Sequence, residues 1–248
     1  MKIVSLVSSK DDKKKVELLA EELDLTITYD EPHKNQCELM LGYDEDGLAL
    51  IEKGLILRGD FLQMLPRIRT SNLRGELLVR AAKIKGADRT LTAIDATAGL
   101  GEDAILLAAS GFYVDLYEYN PIIAALLQDS LNRAKEIPEL CEIVKRMKLH
   151  KENSVDALSN LEKSPDVILL DPMFPTRQKS SLVKKKFQLL QHLEQPCTNA
   201  EELMQAAIKA HPHKIVIKRP SKGEYLANIK PNYSIEGKGI RYDCITIN

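Results

Sequence analysis

The fold of this chain is constrained most by the segment Asp95-Ala96-Thr97-Ala98-Gly99-Leu100-Gly101-Glu102-Asp103. It joins a short, strand-like apolar run over residues 90–95 to a helical pattern over residues 102–110, so it is a strand-to-helix turn. Its small residues and two glycines let the backbone turn tightly and approach a ligand closely. The dinucleotide-binding fingerprint Gly-x-Gly-x-x-Gly does not fit, because Thr97 stands at its first glycine position.

Strand and helix patterns alternate along the chain after this turn. Asn120-Pro121 is a typical helix start, with Asn as the N-cap and Pro in the first turn. We expect strands over residues 113–118, 147–151, 166–170, 213–218, 233–236 and 241–247, and helices over residues 155–161, 182–193 and 200–210. This alternation predicts an α/β fold with a doubly wound, mostly parallel sheet that ends in antiparallel strands at the C-terminus.

The first seventy residues have a different pattern and contain no catalytic motif. One amphipathic helix is predicted over residues 11–23, and short strand-like runs follow at 26–29, 38–43, 47–51 and 55–58. We therefore predict a small β-rich α+β subdomain over residues 1–70. The α/β domain then covers residues 71–248 and begins with a helix over residues 76–83.

The composition indicates a globular protein of a reducing compartment. The 248 residues are 44% hydrophobic and carry a formal net charge of -1, which excludes a disordered acidic or basic protein. No apolar run reaches the ~18 residues of a membrane span. The four cysteines contain no Cys-x-x-Cys pair, and the five histidines form no ligand pattern. We therefore predict a cytoplasmic protein with no metal site and no membrane association.

Positive charge is concentrated toward the C-terminus. Residues 172–241 contain 13 Lys and Arg residues against 5 Asp and Glu residues, a net charge of +8, so the rest of the chain carries -9. This asymmetry favours a polyanionic partner for the C-terminal part, and the alternative is that the charges lie on solvated faces. The contacts we expect with such a partner are Arg177, Lys179, Lys184, Lys185, Lys218 and Arg219.

Polar side chains follow the first three strands of the predicted sheet, at the edge where a doubly wound sheet binds its ligand. Glu118 comes 23 positions after Asp95, close to the ~20-residue spacing of an acid that binds ribose hydroxyls. A solvent-facing glutamate at a strand end is the alternative. Asn153 and Ser154 follow the third strand, where they could bind an adenine edge or cap the next helix.

The ligand expected at the glycine-containing turn has a positive centre and no phosphate. The acids Glu102 and Asp103 at the start of the helix would repel a pyrophosphate. S-adenosylmethionine, which has a sulfonium and an amino group, fits this requirement. The residues of the turn expected around it are Asp95, Thr97, Gly99 and Gly101. The alternative is an ordinary strand-to-helix turn in which Asp95 and Asp103 are caps.

The fourth strand is followed by Asp171-Pro172-Met173-Phe174-Pro175, a pattern suited to methylation of an exocyclic amine. An acidic side chain and a backbone carbonyl can accept the N–H groups of the amine and orient its lone pair toward a methyl donor. Pro172 fixes the backbone and removes a competing donor, and Phe174 can stack on the base. The alternative is a rigid turn in which Phe174 is a core ring.

These motifs together resemble the bacterial ribosomal RNA small subunit methyltransferase J family. The resemblance covers roughly residues 68–243 and also rests on Glu118-x-Asn120-Pro121, the segment 178–185 and Val216-Ile217-Lys218-Arg219-Pro220. It implies a class I S-adenosylmethionine-dependent methyltransferase fold, which is Rossmann-like. It also implies methyl transfer to the N2 amine of one guanine near the 3′ end of 16S rRNA, either free or within the small ribosomal subunit.

The resemblance further implies a set of cofactor contacts: Glu102, Asp103, Glu118, Tyr119, Asn153, Ser154 and Asp171. Members of the family often have arginine at positions 102 and 119 and serine at position 153, so this chain departs from the pattern there. Three other functions are consistent with the residues. They are methylation of a different nucleic-acid amine, methylation of a protein glutamine, and non-catalytic binding of rRNA by an assembly factor that retains a relic cofactor fold.

Overall fold

The computed structural model describes residues 3–6, 13–28, 39–52, 54–172 and 200–247. The strands of these residues form two sheets, one of five strands and one of seven. The predicted helix over residues 182–193 lies outside the described residues. Among the described residues, no helix is long and apolar enough to cross a membrane.

The smaller sheet has the strand order β2-β1-β3-β4-β5. Its strands, with the helix that follows β1, are β1 (Ile3–Leu6), α1 (Lys13–Glu22), β2 (Thr26–Thr28), β3 (Leu39–Asp44), β4 (Gly47–Glu52) and β5 (Leu55–Leu57). Strand β1 runs parallel to β2 and β3, whereas β3, β4 and β5 form an antiparallel meander. The helix and the four strands predicted after it are therefore all present.

Short helical turns connect the smaller sheet to the rest of the chain, and the sequence patterns do not predict them. They are a 3-10 turn at Phe61–Met64 and the helices α2 (Leu65–Ile68) and α3 (Thr70–Leu73). Phe61, Met64 and Ile68 are buried in the core of the larger sheet, although they precede residue 70. The domain boundary at that residue stays a prediction.

The larger sheet has the strand order β11-β12-β10-β9-β6-β7-β8. Its strands are β6 (Thr92–Asp95), β7 (Tyr113–Tyr117), β8 (Met147–His150), β9 (Val167–Leu170), β10 (Lys214–Pro220), β11 (Tyr233–Glu236) and β12 (Ile240–Thr246). The five strands β6 to β10 form the parallel part of the sheet. Strand β12 is antiparallel to both of its neighbours, β10 and β11. The predicted sheet is thus confirmed. The strand order reverses at β6, so the topological switch point lies at its carboxyl end.

Helices cover both faces of the larger sheet. They are α4 (Leu77–Ala82), α5 (Glu102–Ala109), α6 (Pro121–Lys135), α7 (Pro138–Val144), α8 (Ser154–Ser159) and α9 (Ala200–Lys209). Because successive side chains of a strand point to opposite faces, β9 contributes Val167 and Leu169 to the core under α4, α5 and α7. Its residues Ile168 and Leu170 enter the core under α8 and α9. This explains the continuous apolar run in the sequence.

Helix α6 packs on both sheets. Leu127 and Leu131 lie in the core of the larger sheet, whereas Ile122 and Leu126 lie in the core of the smaller sheet. The helix starts as the sequence predicts, because the Asn120 Oδ1 accepts the backbone N–H groups of the second and third helical residues at 3.0 and 3.2 Å. The smaller sheet is therefore held against the larger one through α6.

Candidate active site

Polar side chains from five neighbouring strands lie at the carboxyl edge of the larger sheet. Asp95 ends β6, and Lys218 lies near the end of β10. The other three follow their strands directly or within a few residues, and they are Glu118 after β7, Asn153 after β8 and Asp171 after β9. Because the carboxyl ends of parallel strands meet at one edge, residues far apart in the sequence come together here.

The turn after β6 uses backbone conformations that favour glycine. Gly99 has a φ of +54° and Gly101 a φ of +78°, both in the left-handed region. A Cβ atom on Gly101 would lie 2.8 Å from the Leu127 Cδ1 and 3.1 Å from the Phe61 Cζ, so helix α5 begins in close contact with α6. A Cβ atom on Gly99 would have no described atom within 4 Å beyond its chain neighbours, so the described residues leave this part of the turn open.

Glu118 connects the glycine-containing turn to the start of helix α6. Its side chain is buried, its Oε2 accepts the Gly99 N–H at 3.0 Å, and its Oε1 accepts the Asn120 N–H at 2.8 Å. Burial raises the pKa of Glu118 to about 7, and the backbone donors act in the opposite direction. A carboxylate has about four acceptor positions, and the backbone N–H groups of Gly99, Tyr119 and Asn120 take up part of this capacity, so Glu118 can still accept a ribose hydroxyl group.

Asp95 and Thr97 connect β6 to the end of β9. Asp95 is only 2% exposed, and its Oδ1 accepts the Thr97 N–H at 3.2 Å. Burial raises the pKa of Asp95 to about 8, and the neighbouring carboxyl groups of Asp103 and Asp171 contribute to the rise. The Thr97 Oγ1 accepts the Asp171 N–H at 2.7 Å, so the threonine fixes the backbone of Asp171 relative to the turn.

Lys218 contacts two carboxylates of the site. Its Nζ lies 2.6 Å from the Asp103 Oδ2 and 2.8 Å from the Asp171 Oδ2. Burial by itself disfavours the charged ammonium, but the two carboxylates outweigh it and raise the pKa of Lys218. Burial also raises the pKa of Asp171, and Lys218 opposes that rise. The sequence predicts Lys218 as an RNA contact, whereas the structure places its ammonium among the acids of the site.

Four other predicted cofactor contacts lie at the same edge of the larger sheet. Glu102 is exposed in the first turn of α5, and Tyr119 is exposed directly after β7. The Asn153 Oδ1 accepts the Val155 N–H at 2.9 Å, so Asn153 caps helix α8, and Ser154 is buried in its first turn. The cap is therefore present, and binding of a cofactor by these four residues stays a prediction.

The predicted RNA-contacting surface lies largely outside the described residues. This applies to Phe174, Arg177, Lys179, Lys184 and Lys185. Pro172 is described and buried. Arg219 is 5% exposed, and its Nε donates to the Glu224 carbonyl at 2.8 Å, so its guanidinium contacts the chain itself. Its contact with RNA stays a prediction. The described residues contain no group of three His, Cys, Asp or Glu side chains that could hold a metal ion.

The fold and the site define the class of this protein. The model of the family described as "Putative SAM-dependent methyltransferase" matches residues 20–247. A solved SAM-dependent methyltransferase from Neisseria gonorrhoeae is 27% identical and superposes with a TM-score of 0.77 over 98% of this chain and 96% of that chain. The protein is a class I methyltransferase, and its cofactor is S-adenosylmethionine.

Curated relatives narrow the class to one family. The ribosomal RNA small subunit methyltransferase J of Nitrosococcus oceani is 43% identical over 196 residues, which cover 77% of each chain. The protein of the same name from Pseudomonas aeruginosa is 38% identical over 231 residues, which cover 90% of this chain and 87% of the relative. The chain belongs to the ribosomal RNA small subunit methyltransferase J family.

Proposed function

We propose that the protein transfers a methyl group from S-adenosylmethionine to the exocyclic N2 amine of a guanine near the 3′ end of 16S rRNA. The observation that carries the proposal is the position of Asp171 beside the glycine-containing turn, with its backbone held by Thr97 and its carboxylate by Lys218. An acid at this place can accept the N–H groups of an amine that lies next to the cofactor. The names of the two relatives, which specify small-subunit ribosomal RNA, support the class of substrate.

The residues of the turn suit this cofactor. We place the nucleoside of the cofactor beside Gly99, where a Cβ atom would meet no described neighbour, and Glu118 can accept a ribose hydroxyl group. The carboxylates of Asp103 and Asp171 share the single ammonium of Lys218, which leaves negative charge in excess for a sulfonium and an amino group. The residues that we propose to hold the cofactor are Asp95, Thr97, Gly99, Gly101, Glu102, Asp103, Glu118, Tyr119, Asn153, Ser154 and Asp171.

The chain positions the target amine for direct displacement. The cofactor supplies a methyl group made electrophilic by its sulfonium. The Asp171 carboxylate and a backbone carbonyl beside Pro172 accept the N–H groups, which directs the nitrogen lone pair toward that methyl group. Phe174 stacks on the guanine, which must be unpaired or flipped to enter. The methylated amine is cationic and loses its proton to water, so the site needs no strong general base.

We further propose that basic residues hold the backbone of the RNA. The candidates are Arg177, Lys179, Lys184, Lys185 and Arg219, which belong to the part of the sequence with a net charge of +8. Such contacts position the substrate without reading its sequence. The substrate is 16S rRNA or the small ribosomal subunit, and the protein would act in the cytoplasm, where these subunits are assembled.

Methyl transfer to purified substrates tests the proposed function. Labelled S-adenosylmethionine is incubated with the protein and with either 30S subunits or naked 16S rRNA, both from cells that lack the protein. We expect label in N2-methylguanine, mapped by nuclease digestion. Cofactor binding without label on either RNA would overturn the proposal that 16S rRNA is the substrate and would point to another amine. Absence of cofactor binding would overturn the proposed methyltransferase activity and favour a non-catalytic assembly factor.

The variant Asp171→Ala tests the role of the amine-binding acid. We expect turnover to fall by about 100-fold or more, because an acceptor that orients the amine in the transition state is lost. Affinity for the RNA should be retained, since the basic residues are unchanged. The matched control is Glu162→Ala, which removes an exposed acid before β9. Turnover of Asp171→Ala equal to that of the control would exclude Asp171 from the mechanism.

A further inference from the structure

Lys218 links the cofactor side of the site to its amine side. Its Nζ contacts the Asp103 Oδ2 at the start of helix α5 and the Asp171 Oδ2 after β9. Lys218 belongs to β10, Asp103 to α5, and Asp171 directly follows β9, and 115 positions separate Lys218 from Asp103. The lysine side chain is only 27% exposed, so the ammonium is held inside the site.

The contacts of Lys218 determine which oxygen of Asp171 is available. The ammonium lies against Oδ2, and the backbone N–H of Asp171 donates to Thr97. This arrangement fixes both the backbone and one oxygen of the carboxylate, and it leaves Oδ1 as an acceptor. A target amine needs one such acceptor at a defined place, because methyl transfer depends on the direction of its lone pair.

We propose that Lys218 is a positioning residue for methyl transfer: its ammonium holds Asp171 by Oδ2 and directs Oδ1 toward the target amine, while Asp103 anchors the ammonium. This proposal rests on the proposed function. It assigns Lys218 to the amine-binding acid in place of the RNA backbone. A lysine contact with phosphate would require this ammonium to leave two carboxylates at 2.6 and 2.8 Å.

The surroundings of Asp171 predict the effect of removing the ammonium. The acidic neighbours are Asp95 on β6 and Asp103 on α5, with the Tyr242 hydroxyl group on β12. The cationic neighbours are Lys218 and Arg219 on β10. Without Lys218, Asp171 remains partly buried beside the two carboxyl groups of Asp95 and Asp103, and Arg219 is the cation left among these neighbours. The pKa of the Asp171 carboxyl should therefore rise. As the pH is lowered, Asp171 would then become protonated, and lose its role as an ionised acceptor, at a higher pH than in the wild type.

The test compares Lys218→Gln and Lys218→Arg with the control Lys163→Gln, which changes an exposed lysine before β9. We expect Lys218→Gln to lower kcat at least tenfold, to change the Kd for S-adenosylhomocysteine less than threefold, and to move the acidic limb of the kcat profile to higher pH. Lys218→Arg should restore most of kcat. An unchanged kcat and acidic limb, or a loss of cofactor affinity that accounts for the whole defect, would overturn the proposal.

A second readout does not depend on activity. The carboxyl group of Asp171 is followed by ¹³C NMR in the protein without substrate, and its assignment is made with Asp171→Asn. We expect it to titrate at a higher pH in Lys218→Gln than in the wild type, and an unchanged titration would overturn the proposal. A wild-type protein that methylates no ribosomal RNA would refute the proposed function, while this titration would still decide the role of Lys218.

Discussion

At the scale of single residues, the site depends on carboxyl groups that the fold removes from water. Asp95 and Glu118 are both nearly inaccessible; Asp95 accepts the Thr97 N–H, and Glu118 accepts the N–H groups of Gly99 and Asn120. Their burial costs stability, because the ionised form of a carboxyl group is poorly solvated there. Retaining acids at such places is understandable when a ligand with hydroxyl and cationic groups completes their interactions.

Glu118 makes the free energy of unfolding depend on pH. The unfolded chain releases this proton near pH ~4.3, whereas burial raises the pKa of the folded group to about 7. Between these values the folded protein holds the extra proton, so the free energy of unfolding falls as the pH rises. Glu118→Gln cannot titrate, so we expect a smaller fall across this window in urea unfolding. The exposed control Glu162→Gln should retain the wild-type slope, and equal slopes in the two variants would contradict this prediction.

The sequence predicts which acids lie at the site but not how they are connected. Asp95, Glu118 and Asp171 could be located because each one ends or follows an apolar strand, and parallel strands bring these ends together. The contact of Lys218 with Asp103 depends on the approach of β10 to the first turn of α5, which no local pattern contains. The sequence therefore places Lys218 at the functional edge, as a phosphate contact at a strand end, but does not predict its pairing with the acids.

At the scale of secondary-structure elements, one glycine controls how α5 meets α6. Gly101→Ala would place a Cβ atom 2.8 Å from the Leu127 Cδ1 and strain a φ of +78°. The control Gly86→Ala strains a φ of +74° but meets no described atom within 4 Å. We expect Gly101→Ala to lower the free energy of unfolding by about 1–3 kcal/mol more than the control, measured in urea. Equal losses would show that the contact between the helices tolerates a methyl group.

Helix α6 gives a second prediction at this scale, because its two apolar faces pack against different sheets. Leu126 lies in the core of the smaller sheet, and Leu127 lies in the core of the larger one. Each substitution by alanine should cost about 2–5 kcal/mol. We expect Leu126→Ala, but not Leu127→Ala, to accelerate amide hydrogen exchange selectively in β3 and β4. The same exchange pattern in both variants would contradict the separation of the two faces.

Most elements were predictable from their patterns, and the exceptions share a physical cause. Strands β6 to β10 have apolar runs bounded by turn residues, and α6 has a clear N-cap. The exceptions are the short helices α2, α3 and α7, which have four to seven residues, and their length alone does not distinguish them from the predicted six-residue helices α4 and α8. They form because Ile68, Leu73 and Leu140 fill the core of the larger sheet, so tertiary packing decides their conformation.

At the scale of the whole molecule, the uneven charge of the chain predicts how it binds a polyanion. Release of counterions from RNA makes the logarithm of affinity fall with the logarithm of salt concentration, by roughly 0.7 per phosphate contact on a single strand. The double variant Lys184→Gln/Lys185→Gln should therefore bind rRNA more weakly and reduce this slope by about 1.4. The control Lys13→Gln/Lys14→Gln changes exposed lysines of α1. An equal change of slope in both would contradict a specific role for the basic segment.

The proposed methylation at N2 of guanine is tested most directly by the chemical identity of the methylated nucleoside. 30S subunits and 16S rRNA from cells that lack the protein are incubated with S-adenosylmethionine and the wild-type protein or Asp171→Ala. The RNA is then digested both to oligonucleotides, which locate the methyl group, and to nucleosides, which identify it, and both digests are analysed by mass spectrometry. We predict N2-methylguanosine from one site near the 3′ end with the wild type, and strongly reduced product with the variant. Methylation of a different base or ring atom, or equal product from both proteins, would contradict the assignment.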